Sequence, residues 1–384
     1  MKLKARPEDF RVEEQLALRL KPAGAHSVYR LEKRFWNTLD VITHLEQRHG
    51  LRQLSRAGLK DRYSLSVQYL SLPGRGPRQI IEKNYSLRLA GMADEPVSRD
   101  VLLGNSFQVT LRALTSDESS AILSALPNVN RLGFPNYYDE QRLGSARHGQ
   151  GFIARRLIAG HFNGALRLWL GTPSHADDSH KLRNKTLIET HWGDWQRCLE
   201  LVPQEARPVI EHLCHSPKDF KAAVYLIPRS LLELFINAYQ AWLWNEIMAA
   251  LLADLKVPIR PLDYSLGTLA FYDELTPTQA KYLSKLVIPA PGPDAEFASE
   301  RVARVTNEIL AREGLSLKQL EIKLRIRGVF FKPYERMAVV TPERLRASPL
   351  EPDEIYPGRQ KLVLSFFLPP GAYATMLIKR LSLL

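Results

Sequence analysis

Three charged residues, Lys60, Asp61 and Arg62, stand side by side and could do chemistry. They lie in the segment 57–68, which reads AGLKDRYSLSVQ. Neighbouring cations keep a carboxylate ionised, so Asp61 is available as a nucleophile or a base. Lys60 and Arg62 could tune the pKa of Asp61, or they could hold an anionic phosphate. The alternative is a solvated loop with a local ion pair, because such triplets are common on protein surfaces.

The residues that follow predict the element that positions this triplet. Leu65, Val67 and Tyr69 alternate with serine and glutamine, which is the period of a strand with one buried face. Asp61 would then lie directly ahead of a strand, at a sheet edge that faces a cleft.

Further strands and helices are predicted around this segment. Thr38 is a candidate N-cap for a helix that includes Val41, Ile42 and Leu45. Residues 116–126 also have a helical pattern. Alternation or apolar spacing predicts strands near residues 10–16, 27–33 and 105–111.

A second group of residues, the segment 133–149, combines aromatic rings with an amide and arginines. It reads GFPNYYDEQRLGSARHG and contains Asn136, Tyr138, Arg142 and Arg147. Aromatic rings beside arginines suit stacking on unpaired bases, with phosphates held by the cations. The alternative is a glycine-rich loop whose tyrosines pack inward.

The order of the elements predicts how the domains are arranged. Helical patterns dominate from about residue 155 to 325, and strands return at 337–340 and 361–368. The aromatic residues of the segment 230–247 are predicted to be core, because they lie on one wide apolar stripe. Strands, then helices, then strands are typical of a helical domain inserted into one α/β domain.

Composition and charge indicate a globular protein with a polyanionic partner. The 384 residues include 53 Lys and Arg against 41 Asp and Glu, a net charge of +12. This balance favours nucleic acid first and a membrane surface second. Two cysteines, Cys198 and Cys214, exclude a disulfide framework. The sequence has neither a signal-peptide core nor a long apolar run, so a cytoplasmic protein without a membrane span is expected.

Other kinds of site have weak support. His175 and His180, and likewise His212 and His215, are metal-ligand types, but their spacing is not that of structural zinc. There is no G-x-S-x-G elbow and no Walker A sequence, which argues against a serine hydrolase and an NTPase. We therefore predict no metal site.

Six motifs follow one another along the chain: PEDFRVEE (7–14), EKRFWNT (32–38), AGLKDRYSLSVQ (57–68), LGNSF (103–107), PNYYDEQRLG (135–144) and LPPGAYAT (368–375). A looser seventh match is NAYQAWLWN at 237–245. These segments resemble, in order, those of one family, the TruD-type tRNA pseudouridine synthases. Chance agreement of six motifs in order is remote.

The resemblance implies an α/β (α+β) fold and a reaction without cofactor or metal. The catalytic domain of the family has a mixed β-sheet and is interrupted by a mainly helical, family-specific insertion. We expect the catalytic domain at residues 1–165 and 326–384 and the insertion at 166–325. The implied activity isomerises uridine to pseudouridine in tRNA, with the uridine at position 13 as the default target. A monomer is expected.

The resemblance also implies which residues serve the site. The aspartate of the G-x-K-D segment, the family's catalytic residue, is Asp61. Attack on the base at C6, attack on the sugar at C1′, or ribose deprotonation to a glycal are the routes considered. The family's other site positions fall on Lys4, Lys33, Asn136, Tyr138 and Arg142. We further expect an ion pair between Arg142 and Asp61, because a bare carboxylate in an RNA cleft is costly to desolvate.

Departures from the family pattern leave substrate choice open. Tyr138 and Leu143 replace phenylalanines, and a buried Tyr138 hydroxyl needs a hydrogen-bond partner. The segment 91–100, GMADEPVSRD, is acidic where the family has a basic run. A rival interpretation is a non-catalytic RNA-binding protein or RNA chaperone on the same scaffold. Retention of Asp61 in a matching segment argues against it.

Overall fold

The computed structural model describes residues 1–144, 146–147, 150–173, 177–322, 324 and 326–383, without the side chains of residues 141, 146 and 147. His175 of the weak metal motif is outside the described residues, as is the side chain of Arg147. This part of the chain forms two compact units: unit 1 is Met1–Phe134 with Val340–Leu384, and unit 2 is Pro135–Val339. The predicted family-specific insertion at 166–325 stays a prediction.

Unit 1 begins with strands and two long helices. A short 3₁₀ helix, Pro7–Asp9, precedes the first strand. The elements are β1 (Phe10–Leu16), β2 (His26–Lys33), α1 (Thr38–His49), β3 (Ser55–Arg56), β4 (Leu65–Pro73), β5 (Gln79–Glu82), β6 (Tyr85–Ala93), β7 (Leu102–Leu114), α2 (Ser116–Leu132) and β8 (Phe134–Pro135).

Unit 2 is mainly helical, with short strands between the helices. Its described elements are β9 (Ala146–Arg147), β10 (Gly151–Phe152), α3 (Ile153–Ile158), α4 (Phe162–Leu170), α5 (Ser179–Thr190), α6 (Trp195–Leu201), α7 (Arg207–His215), α8 (Phe220–Tyr225), α9 (Arg229–Asp254), β11 (Arg260–Tyr264), β12 (Gly267–Phe271), α10 (Pro277–Leu283), β13 (Val287–Pro289), α11 (Glu300–Arg312) and β14 (Glu335–Met337).

The chain then returns to unit 1 and completes its sheet. Its last elements are β15 (Val339–Val340), β16 (Glu343–Ala347), β17 (Glu351–Pro352), β18 (Gln360–Leu368) and α12 (Ala374–Leu381). Ten described strands form one sheet in the order β16-β18-β7-β1-β4-β2-β6-β5, with β17 beside β18 and β3 beside β4. The β1–β4 pair is parallel and the other pairs are antiparallel. The predicted α/β fold with a mixed sheet is confirmed.

The topology brings three segments to one edge of this sheet. Because β1 and β4 are parallel, they start at the same edge, where Arg11 is opposite Leu65. Strand β2 is antiparallel to β4, so its last residue, Lys33, reaches that edge and faces Ser66. The residues before β1, after β2 and before β4 therefore meet there. Asp61 lies directly ahead of β4, as the sequence predicts.

The prediction that β4 has one buried face is wrong. Its polar residues Ser66 and Gln68 are fully buried, and so is Val67 on the other face. The physical reason is that α1 packs against the face that carries Ser66 and Gln68, so the polar side of β4 is covered as well. Leu70 and Leu72 continue the Ser66 face and belong to the same core cluster as residues of α1.

The N-cap prediction for α1 is also wrong, by one residue. Asn37 has the extended backbone of an N-cap, although its side chain makes no cap hydrogen bond. Thr38 is the first helical residue and is buried. Its hydroxyl donates to Gln68 Oε1 at 2.8 Å and accepts from the Lys60 amide at 2.9 Å. A threonine engaged with a neighbouring strand and loop is not available to cap its own helix.

Unit 2 is built around its longest helix, α9. Phe235, Tyr239 and Trp244 are at most 3% exposed, so the prediction that the aromatic residues of this helix are core is confirmed for these three, whereas Trp242 is only partly buried. Among the described residues, no helix is both long enough and apolar enough to cross a membrane.

Candidate active site

Asp61 is paired with a lysine that precedes the first strand. Lys4 Nζ lies 3.0 Å from Asp61 Oδ2, and both side chains are partly exposed. The same ammonium lies 4.3 Å from the centroid of the Phe10 ring, a cation–π distance. Lys4 itself has φ +54°, a region that few non-glycine residues adopt. The pair thus presents an oriented carboxylate at the sheet edge.

Lys33 fixes the backbone beneath this pair. Its side chain is 1% exposed, and Nζ donates to the carbonyls of Trp36, Lys60 and Asp61 at 2.9, 3.2 and 3.0 Å. Burial, opposed by the nearby Asp61 carboxylate and aided by the Lys60 ammonium, lowers the pKa of Lys33 to about 8. Lys33 therefore tethers the loop that carries Asp61, and the predicted contact of Lys33 with RNA remains untested.

Lys60 points inward to a buried glutamate. Its Nζ lies 2.6 Å from Glu14 Oε1, and the two side chains are 9% and 0% exposed. The other Glu14 oxygen accepts the Tyr69 amide at 3.0 Å. Together with the bond from the Lys60 amide to Thr38, this pair holds the loop against β1, β4 and α1. A phosphate contact by Lys60 stays a prediction.

A second candidate group lies in unit 2 around Asn136. Its side-chain oxygen accepts from Arg336 Nη2 at 2.7 Å, and its Nδ2 donates to the Met337 carbonyl at 3.0 Å. Arg336 Nε also donates to the Asn136 carbonyl at 2.8 Å. Asn136 is 5% exposed, so these bonds orient its amide.

Tyr138 is held by residues of three segments. Asn245 on α9 binds its backbone in both directions, at 2.8 and 2.9 Å. The Arg336 guanidinium lies 4.0 Å from the ring centroid, and Trp244 packs edge-on at 5.7 Å. The Tyr138 hydroxyl donates to the Tyr334 hydroxyl at 2.8 Å, which supplies the partner that a buried tyrosine needs. Burial raises the pKa of Tyr334 far above its usual range.

The structure brings some of the predicted site residues together within each unit. Lys4, Lys33, Lys60 and Asp61 form one group in unit 1, and Asn136 and Tyr138 form another in unit 2. The Arg142 amide donates to the Asp139 carbonyl at 2.8 Å. The expected ion pair between Arg142 and Asp61 remains a prediction. Tyr137 is fully buried and donates to the Ala270 carbonyl at 2.8 Å, and Tyr138 is 7% exposed, so the inward-packing alternative fits both tyrosines.

Sequence reasoning missed three residues that support these groups. Glu14 had a signal, because it shares strand parity with the buried Phe10 and Val12, and a carboxylate on a buried face needs a cation. Asn245 was within a matched segment but was assigned only to the helix. Arg336 had no local signal, since it lies 200 residues from Asn136.

The described histidines do not form a convincing metal site. His44, His49 and Glu82 have ligand atoms within 4.8 Å of one another. His49 Nε2 already lies 3.1 Å from Glu82 Oε1, and Arg48 Nε lies 3.7 Å from the same oxygen. His44 Nδ1 contacts the Tyr85 hydroxyl at 2.7 Å. Ordinary hydrogen bonds and a competing guanidinium thus account for this cluster.

Comparisons with known proteins give one family over nearly the whole chain. The family model "tRNA pseudouridine synthase D (TruD)" matches residues 1–262 and 272–381. The tRNA pseudouridine synthase D of Aquifex aeolicus is 30% identical, and that of Leptospira interrogans serovar copenhageni is 28% identical. The matches cover 99% of this chain and 98% and 96% of those proteins. A crystal structure assigned to TruD, from Methanosarcina mazei, matches with a TM-score of 0.75 at 24% identity, covering 99% of this chain and 93% of its own, which shows the same fold.

Proposed function

This chain belongs to the tRNA pseudouridine synthase D (TruD) family, and from that premise we propose that Asp61 is the catalytic residue of a tRNA pseudouridine synthase. The enzyme class is an isomerase, because uridine and pseudouridine have the same composition. The N1–C1′ bond of uridine breaks, the uracil turns, and a C5–C1′ bond forms. The hydrogen at C5 leaves as a proton and N1 gains a proton, so the atoms balance.

The observation that carries the proposal is the pairing of Asp61 with Lys4 at the sheet edge. An adjacent ammonium favours the ionised carboxylate, and only the ionised form can attack carbon or accept a proton. The backbone below is fixed, because the Asp61 carbonyl accepts from Lys33 Nζ at 3.0 Å and from Ser64 Oγ at 3.1 Å. An ionised Asp61 carboxylate on a fixed backbone is compatible with each of the three routes: attack at C1′, attack at C6, or removal of a ribose proton.

Asn136 and Tyr138 are proposed to contact the target nucleotide. The amide of Asn136 is oriented by Arg336, the backbone of Tyr138 is held by Asn245, and the Tyr138 ring packs edge-on against Trp244. Rigid polar and aromatic groups of this kind suit recognition of an extruded base, which is read by hydrogen bonds and by stacking. Arg142 is proposed as a phosphate contact, and Lys60 as one that requires RNA to displace its ion pair with Glu14.

The finer statements follow the family resemblance. We propose uridine 13 of tRNA as the target, a monomeric enzyme, a cytoplasmic location, and a reaction that uses no cofactor or metal. The RNA-chaperone alternative predicts binding of tRNA with every uridine left unchanged. Turnover therefore separates the two functions, whereas affinity alone does not.

The test is turnover on a transcript whose uridine 13 can be removed. Wild-type protein is incubated with unmodified tRNA carrying uridine tritiated at C5, and released tritium is counted. We expect about one tritium per tRNA, and no release from the same tRNA with cytidine at position 13. Release from both transcripts would exclude position 13 as the target. No release from either, with tRNA bound, would favour the chaperone.

A further inference from the structure

We infer that Phe35 and Tyr63 form a stacking surface for an unpaired base that neighbours the target uridine in the tRNA. This inference rests on the proposed function and adds a determinant of substrate recognition to it. The two residues, named here the aromatic pair, lie in unit 1 on the loops that follow β2 and precede β4.

The aromatic pair is exposed beside the proposed catalytic residue. Phe35 is 40% exposed and Tyr63 is 43% exposed, and their ring centroids are 5.8 Å apart at an interplanar angle of 63°. Tyr63 is two residues from Asp61 in the chain. Exposed apolar side chains that adjoin one another, unlike single ones, can mark a surface that another molecule covers.

Backbone and hydroxyl contacts hold the rings in place. Phe35 has φ +61°, which is uncommon for a bulky residue and suggests a functional constraint. The Phe35 carbonyl accepts from Arg62 Nε at 3.1 Å. The Tyr63 hydroxyl donates to the Ala5 carbonyl at 3.3 Å, next to Lys4. The aromatic pair is thereby hydrogen-bonded to Arg62, which follows Asp61 in the chain, and to Ala5, which follows Lys4.

The charge around the aromatic pair fits RNA. Lys4 and Lys60 are neutralised by Asp61 and Glu14. Arg62 is exposed and has no ion pair with a described carboxylate, so its guanidinium can meet a phosphate. Aromatic faces next to an exposed arginine are a combination that binds single-stranded nucleic acid.

The chemistry of the reaction supplies the unpaired base. A uridine inside structured RNA must be unstacked to reach a catalytic carboxylate. Its neighbours then lose one stacking partner, and an aromatic face on the enzyme can replace it. The occupant we assign is therefore the base directly 5′ or 3′ of the target, held by stacking and not by hydrogen-bond recognition.

The test uses fluorescence of 2-aminopurine, which is quenched when the base stacks. Transcripts carry it directly 5′ or 3′ of the target uridine, and all proteins also carry Asp61→Asn so that no turnover occurs. At one of the two positions we expect quenched fluorescence with the Asp61→Asn protein. Adding Phe35→Ala and Tyr63→Ala should raise that fluorescence at least twofold and weaken binding about 5- to 150-fold, since stacking on one aromatic is worth about 1–3 kcal/mol per base.

Three controls make the test specific. Tyr63→Phe removes the bond to Ala5 but keeps the ring, so it should behave as Tyr63. Leu103→Ala removes an apolar side chain that is 55% exposed on β7, at the end away from Asp61, and should change nothing. Arg62→Met should reduce the salt dependence of binding by about one phosphate contact, whereas the ring variants should leave it unchanged.

Two results would overturn the inference. The first is unchanged fluorescence and affinity when both rings are removed. The second is a Tyr63→Phe variant as defective as Tyr63→Ala, because the hydroxyl would then be what matters. Tritium release by the wild-type protein is measured on the same tRNA. Failure of that release counts against the proposed function, whereas normal release with no effect of the rings counts against the aromatic pair alone.

Discussion

At the scale of residues, three lysines have three different partners. Lys4 binds the carboxylate of Asp61, Lys33 binds backbone carbonyls, and Lys60 binds Glu14. A sequence that shows only nearby cations cannot separate these roles, because each depends on which atoms the fold brings within 3 Å or so. The structure assigns Lys4 to the carboxylate and the other two to the loop.

Replacing Lys4 tests whether the ion pair orients Asp61. Lys4→Met should lower kcat about 10-fold or more, because a hydrogen bond to a charged group contributes about 1.5–3 kcal/mol. Lys4→Arg keeps the charge and should recover part of the rate. Single-turnover tritium release measures both. Equal rates for Lys4→Met and the wild type would contradict the assignment.

Replacing Lys33 tests the tether through pH. With a pKa of about 8, Lys33 loses its proton in the folded enzyme above that pH, and a neutral amine has two N–H groups for three carbonyls. We expect kcat to fall as pH rises through about 8. Lys33→Met should have lower activity and lack this fall. If Lys33→Met shows the same dependence of kcat on pH as the wild type, the result would contradict the role of Lys33 as a tether.

The free energy of unfolding of the wild type should rise with pH over the range in which its kcat falls. An unfolded lysine titrates near 10.4, so between pH 8 and 10.4 the unfolded chain binds more protons than the folded chain. The free energy of unfolding therefore rises with pH in this window. Urea unfolding at pH 7.5 and 10 should show the wild type gaining up to about 3 kcal/mol relative to Lys33→Met, at about 1.4 kcal/mol per pKa unit.

At the scale of elements, the sheet edge is what assembles the site in unit 1. The parallel β1–β4 pair and the antiparallel β2 bring together segments from three parts of the chain. The buried pair of Lys60 and Glu14 then joins the loop before β4 to β1. A loop fixed at both its side chains and its backbone can present Asp61 in one orientation.

The buried pair makes a clear stability prediction. Lys60→Met leaves the fully buried Glu14 carboxylate without its cation, which should cost about 3–5 kcal/mol. The double variant Lys60→Met with Glu14→Gln removes both charges, and Gln can still accept the Tyr69 amide. We expect it to recover at least half of the loss in urea unfolding. No recovery would mean that Lys60 supports the fold through other contacts.

Local sequence patterns predicted where helices and strands lie better than they predicted which of their faces are buried. The strands at β1, β2, β4, β7 and β18 and the helices α1, α2 and α9 follow from apolar spacing. The faces of β4 could not be predicted, because alternation does not say whether a helix covers the polar side. Arg336 could not be predicted either, since no local pattern joins it to Asn136.

At the scale of the whole molecule, unit 1 is assembled from the segments on either side of unit 2. Arg112 on β7 is 2% exposed and binds Asp9 at 2.9 Å and Asp353 at 3.0 Å. Burial alone would raise the pKa of Asp353, but backbone amides, first that of Ala113, and Arg112 lower it overall. One guanidinium thus joins the start of β1 to the segment before β18.

Removing this guanidinium should destabilise unit 1. Arg112→Met leaves the buried Asp353 carboxylate without its guanidinium and leaves Asp9 with only the 3.4 Å ion pair to Arg6, and should cost about 3–5 kcal/mol. The lowered pKa of Asp353 stabilises the fold above its unfolded value near 3.9, and this contribution is lost as pH falls through the folded value. The difference between variant and wild type in urea unfolding should therefore narrow below about pH 4. A constant difference would contradict the ionic account.

The most direct test of the central claim is tritium release by Asp61→Asn on C5-tritiated tRNA. Asp117→Asn, an exposed aspartate in the first turn of α2, is the matched control. We predict that Asp61→Asn binds the tRNA with wild-type affinity and releases no tritium, whereas Asp117→Asn releases it at the wild-type rate. Release by Asp61→Asn at a rate near that of the wild type would contradict the assignment of Asp61 as the catalytic residue.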